Sequence, residues 1–303
     1  MSRLRKRLLL ASFAVAATAL ATLAAPTASG AFGWWPSPAP TPNCGSTIYK
    51  ADGSKWTCTF DDEFSNGYLD PNKWTVQQTA TSGYTTGPVG ANVCYVNNTK
   101  NVNVSGGYLT LTVRKEAAAF SCGGYSTQYS GGTVSGYGKF SQTYGRFEVR
   151  AKVPASVIAG LQESFWLWPV NSSKYGPEPT SGEIDFAELY SVLPNLAVPY
   201  VHYTPAAPDP NVTSYKCTIN DPSQFHTYAL EWTPTTLKMI YDGTTCLVDT
   251  WKAASPLSGS APFDQPFFLV LTQALGFGPT NNYVDGTTPL PATTTVDYVH
   301  IWK

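Results

Sequence analysis

Ser181-Gly182-Glu183-Ile184-Asp185-Phe186-Ala187-Glu188-Leu189-Tyr190 is the stretch on which the reading of this chain turns. Three carboxylates fall within six residues, with apolar residues between them, and the composition favours a strand. Side chains on a plain strand alternate between faces. Glu183 and Asp185 would then share one face, with Ile184 and Phe186 on the other. Glu188 has the wrong parity and would point inward with Ile184, a costly unpaired charge. One extra residue near Phe186-Ala187, a β-bulge, resets the alternation. Glu188 then joins Glu183 and Asp185, and Leu189 returns to the core.

Bulges of this kind re-aim side chains beside active sites. With one residue absorbed, Glu183 and Glu188 lie about four strand steps apart, roughly 13 Å between Cα atoms. Two glutamates leaning together across that span permit the ~5–5.5 Å carboxyl separation of a retaining glycosidase. A generic E-x-D on a strand is more often an ordinary solvent-facing acidic surface. The parity anomaly sets this stretch apart.

The rest of the chain reads as strands. Arg146–Val153 alternates, with Phe147, Val149, Ala151 and Val153 on one face and charges on the other. Tyr108–Val113 alternates as well. Ser164–Trp168 puts Trp166 and Trp168 on one face, Phe165 and Leu167 on the other. Thr227–Trp232, Leu237–Tyr241, Phe267–Leu271 and Val296–Trp302 are further runs, separated by Gly, Pro, Asn and Asp clusters. Many short strands and no long helical period predict an all-β, two-sheet antiparallel sandwich, a jelly roll whose concave face forms a cleft.

Met1–Arg7 carries Arg3, Arg5, Lys6 and Arg7, and an uncharged Ala- and Leu-rich run follows. Small residues then offer a cleavage site, so residues 1–31 read as a secretory signal peptide and the mature protein as extracellular. A membrane anchor is the alternative, for a run near the lower length limit of a span. Residues 32–45, with Trp34, Trp35 and four prolines, read as a linker or N-terminal arm. Residues 46–303 suit one catalytic domain. Without the signal peptide the net charge is about −5, which argues against nucleic acid or anionic membrane as partner. Six cysteines in an exported chain imply up to three disulfides. Separation alone favours Cys44–Cys58, Cys94–Cys122 and Cys217–Cys246 among fifteen connectivities. Three histidines and no metal-binding spacing argue against zinc.

The order E-I-D-F-A-E resembles the signature of glycoside hydrolase family 16, in its bulged, laminarinase-like branch. Phe60–Phe64, Tyr144–Pro154, His226–Pro234 and Val296–Trp302 extend the resemblance over roughly residues 60–303. It implies a concanavalin-like jelly roll and an endo-glycosidase of β-linked polysaccharide, most simply β-1,3-glucan. Glu183 would be the nucleophile, Asp185 its assistant and Glu188 the acid/base. Trp166, His202, Trp232 and Gln273 would contact substrate. No cofactor is implied for catalysis. A structural calcium would sit at Glu63, Gly107 and Asp297, and the protein would act as a monomer. The departures fall in the cleft. Gln162 and Glu163 stand where the family has Trp-Pro, Glu178 replaces a Trp before Pro179, and Thr272 replaces a frequent Asn. A transglycosylase, a β-galactan hydrolase and a noncatalytic glycan-binding protein are the rival readings. Retention of both glutamates speaks for catalysis.

Overall fold

A computed structural model describes residues 41–303 apart from Val89 and Phe277. The expected signal peptide, and the arm as far as Pro40, lie outside the described residues. The chain runs through β1 (Cys58–Asp62), β2 (Thr75–Val76), a helical turn α1 (Thr79–Ser82), β3 (Val93–Tyr95), β4 (Val102–Ser105) and β5 (Tyr108–Cys122). It continues through β6 (Tyr125–Gly131), β7 (Thr133–Ser135), β8 (Gly145–Lys152), β9 (Leu161–Pro169), β10 (Glu183–Tyr190) and β11 (Ala197–His202). The last strands are β12 (His226–Trp232), β13 (Leu237–Tyr241), β14 (Thr244–Asp249), β15 (Phe267–Leu275) and β16 (Ala292–Trp302).

These form two sheets. The larger orders β14-β13-β12-β8-β16-β5-β6-β3, with β1 against β16 and β4 against β5. The smaller orders β11-β10-β9-β15-β7-β2. Pairing among the described strands is antiparallel except between β3 and β6. The expected all-β sandwich is therefore the observed one.

Alternation decides what fills the space between the sheets. In β8, Phe147, Val149 and Ala151 are fully buried while Arg146, Glu148 and Arg150 face outward. Phe165 and Leu167 of β9, Leu269 and Leu271 of β15 and the inward residues of β10 meet them across one continuous core. Truncating a buried Phe such as Phe165 would cost about 3–5 kcal/mol. The outer face of the smaller sheet is left for Trp166, Trp168, Glu183 and Glu188, and it forms the cleft.

Three disulfides bond Cys44–Cys58, Cys94–Cys122 and Cys217–Cys246, with Cα separations of 5.7, 5.9 and 5.3 Å. This is the sequential pairing expected. Cys44 is buried, so the last residues assigned to the arm already belong to the folded unit. Among the described residues no helix is long and apolar enough to cross a membrane.

Candidate active site

The chain enters β10 through Gly182, in the left-handed region at φ 82°. A Cβ there would stand 2.9 Å from the Phe263 ring, so both the turn and the close approach call for glycine. Beyond it the strand pairs regularly until Asp185. On β9, Asp185 faces Trp166 and Ala187 faces Phe165, leaving Phe186 without a partner. On β11, Asp185 faces Tyr200 and Glu188 faces Val198, so Pro199 alone spans the extra residue. Proline offers no N–H to a ladder, and β11 is an edge strand, where proline is tolerated. The carbonyl of Phe186, displaced from the ladder, accepts the Tyr241 hydroxyl of the opposite sheet at 2.6 Å. Ile184, Phe186, Ala187 and Leu189 all enter the core. Glu183, Asp185 and Glu188 are thereby brought to the outer face.

Each carboxyl has its own surroundings. Asp185 is buried and shares a 2.8 Å hydrogen bond with His202 Nε2. His202 faces Glu183 across the β10–β11 pair and stacks on Tyr200 at 4.2 Å. Its Nδ1 lies 3.6 Å from Glu178 Oε1. Glu188 Oε1 accepts a 2.8 Å hydrogen bond from Gln162 Nε2. Glu178, Glu183 and His202 bring donor atoms within 4.8 Å of one another, which makes them the described set able to hold a metal ion.

Burial, then the charge of Asp185, pushes the Glu183 carboxyl up to about 9, while His202 pulls it down. Burial holds Asp185 well above the usual carboxylate range, with Glu188 and Glu178 adding to the effect. Glu188 is also raised by burial, against hydrogen bonding from Tyr190 and Gln162 and the attraction of His202. Burial is thus its main cause. Burial and mutual repulsion favour the protonated form among these three carboxyls.

From Glu183 a cavity of about 940 Å³ extends along Trp166 and Trp168 to Tyr84 and α1. Thr272 Oγ1 accepts from Trp166 Nε1 at 3.1 Å and fixes that ring in the cleft. Tyr84 stacks on Tyr95 with centroids 5.3 Å apart and stands 5.9 Å from Trp166. No Lys or Arg lines this cavity among the described residues.

The structure brings Trp166 and His202 to the triad but corrects two other expectations. Trp232 is buried between the sheets, against Tyr144, Phe147 and Phe267. Gln273 is fully buried on the inner face: its Nε2 donates to Glu163 Oε1 at 2.7 Å, and its Oε1 accepts from Thr294 at 2.8 Å. Alternation placed Trp232 on a strand but not on a face, and Gln273 lies beyond the run read as Phe267–Leu271. The expected calcium donors are otherwise engaged. Asp297 is ion-paired with Arg150, Glu63 Oε1 bonds His300 Nε2 at 2.5 Å, and Gly107 lies in the β4–β5 turn. Sequence reasoning missed Tyr84, which had no motif around it. Gln162 and Glu178 were visible only as departures.

Comparison with known proteins adds a family. The profile of Glycosyl hydrolases family 16 matches residues 90–276. The glucan endo-1,3-beta-glucosidase A1 of Niallia circulans is 30% identical over 80% of this chain, which spans 37% of that protein. The beta-glucanase of Rhodothermus marinus is 29% identical over 82% of the chain and 85% of its own length. The crystal structure of the endo-beta-1,3-glucanase from Pyrococcus furiosus superposes with a TM-score of 0.69 at 27% identity, over 85% of this chain and 97% of that one.

Proposed function

Because this chain belongs to glycosyl hydrolases family 16, we propose that it is a secreted, retaining endo-hydrolase of a neutral β-linked polysaccharide, most simply β-1,3-glucan. The observation that carries this reading is the bulge between Asp185 and Glu188, which turns Glu183 and Glu188 to one face. The relatives named above act on glucans, and the three disulfides suit an oxidising, extracellular setting.

Glu183 attacks the anomeric carbon as Glu188 gives its proton to the departing glycosidic oxygen. A covalent ester to Glu183 results. Glu188, now a carboxylate, takes a proton from water, whose oxygen bonds to the anomeric carbon as the ester bond breaks. Glu183 must be ionised before it attacks, and the neighbouring His202, which pulls its carboxyl down, favours that form. Asp185, held by His202, stands between the two and acts on the nucleophile through its charge. Trp166, Trp168 and Tyr84 offer ring faces to pyranose units.

The charge of the cleft supports a neutral polymer. Glu178 adds a fourth acid, and sulfated or uronate chains would find no cation along the cavity. Release of reducing ends from a panel of β-glucans, β-galactans and sulfated galactans tests this directly. Cleavage of a β-glucan is the expected result. Preference for a sulfated polymer, or transfer to sugar acceptors in place of hydrolysis, would replace the proposal.

A further inference from the structure

A second hollow lies on the outer face of the larger sheet, across the sandwich from Glu183. Its rim is a small hairpin, in which Trp56 N–H donates to Ile48 O and Lys50 N–H to Ser54 O. The Cys44–Cys58 disulfide staples the base of that hairpin. Its floor is Arg146 and Glu148 of β8 with Tyr298, His300 and Trp302 of β16, and the space enclosed is about 420 Å³.

The walls are aromatic. Tyr49 is 60% exposed, although bulky apolar groups more often find cover. Trp56 is half-buried, with Lys50 Nζ 4.6 Å from its ring centroid. Tyr298 and His300 stack at 4.1 Å, and Trp302 meets His300 edge-on at 5.5 Å. The charges of the floor are paired among themselves. Arg146 bridges Glu148 and Glu231, Tyr298 Oη donates to Glu148 at 2.9 Å, and Glu63 bonds His300. Arg146 Nε is buried and has no partner, and Lys50 Nζ stands on the rim over the Trp56 ring.

This pattern selects a class of ligand. An anion would meet Glu148, Glu231 and Glu63 beside a guanidinium already bound to two of them, with Lys50 alone on the rim. A cation would find those carboxylates already taken by Arg146 and His300. A neutral polyol meets neither obstacle, because its hydroxyls both donate and accept while its C–H face lies on a ring. The volume is that of a small-ligand pocket. We propose that this hollow is a noncatalytic binding site for a short stretch of a neutral glycan. Only the identity of that glycan, β-1,3-glucan, rests on the reading of the cleft.

Cleft and hollow open on opposite faces, so they hold different segments or different chains. Two attachment points raise residence on a particulate polymer, whereas a soluble oligomer in the cleft gains nothing from the second. The test uses the full chain with Tyr49→Ala and Trp56→Ala, singly and together. Retention on particulate β-1,3-glucan should fall by about tenfold or more. Hydrolysis of a soluble β-1,3-gluco-oligosaccharide and the melting temperature should stay unchanged. If Trp56→Ala disturbs the hairpin, the exposed Tyr49→Ala alone carries the test. Cleavage of β-1,3-glucan with undiminished retention in Tyr49→Ala overturns the second site and leaves the cleft reading standing. Retention of a different neutral glycan, lost in Tyr49→Ala, with no cleavage of β-1,3-glucan, keeps the second site and overturns the cleft reading. A concentration-dependent dimer abolished by the same substitutions would make this face a contact between copies and overturn the proposal.

Discussion

Gln162 Nε2 donates a 2.8 Å hydrogen bond to Glu188 Oε1, across the strand pair that carries the proposed acid/base. The amide stands where family 16 commonly has a tryptophan. It exchanges a stacking surface for a donor that stabilises the charged form of Glu188.

That exchange sets the basic limb of the pH profile. Glu188 must be protonated for the first step, so kcat/KM falls as pH rises through its pKa. Removing a donor that favours the carboxylate raises this pKa. Gln162→Leu should therefore move the basic limb of kcat/KM upward, by about half a unit to one unit. An unshifted limb with a changed KM would mean that Gln162 contacts only sugar.

The catalytic assignments make a sharper demand. Glu183→Gln and Glu188→Gln should each lower turnover of natural polymer by several orders of magnitude while the melting temperature and circular dichroism stay near wild type. Asp185→Asn should lose less, because it removes an assisting group rather than a reacting one. Substantial activity of Glu183→Gln on polymer would sink the assignment.

Stereochemistry separates the two roles. With an activated aryl glycoside, Glu188→Ala should still form the α-linked glycosyl-enzyme, since a good leaving group needs little acid help. Azide needs no base, so it should restore turnover and yield a β-glycosyl azide. Glu183→Ala opens the opposite face of the sugar, and azide should then give the α anomer. NMR of the two products decides the matter, and the same anomer from both variants would show the roles misread.

Glu163 tests the inner face. It is fully buried against Gln273, and burial raises its carboxyl to about 8. Unfolded, the same group ionises near the usual ~4.3. Below that pH both states are protonated and folding carries no penalty. As pH rises toward 8 the unfolded chain gives up the proton that the folded one keeps, so stability falls. The loss is at most about 4–5 kcal/mol. Glu163→Gln keeps the shape and can accept the same hydrogen bond, so it should flatten the decline in melting temperature between pH 5 and 8. Parallel curves for the two proteins would mean that Glu163 is not the source.

Local periodicity carried much of the architecture. Phe147, Val149 and Ala151 alternate with charges in the linear chain, and that two-residue period is a property of the strand itself. The same arithmetic exposed Glu188 as out of step, so the extra residue at Phe186-Ala187 was legible before any neighbour was known. What supports the bulge was not. Pro199 lies opposite it on β11, and the Tyr241 hydroxyl reaches its free carbonyl from the other sheet. Tyr84 comes to Trp166 from a loop some eighty residues upstream. Trp232 and Gln273 turned inward because alternation states that a strand has two faces, and not which one the second sheet will cover. Thr294 of β16 meets Gln273 in the core, and Phe267 of β15 meets Trp232 there. Whether a polar or aromatic side chain faces sugar or core is decided by partners far apart in sequence, which only the closed sandwich brings within contact distance.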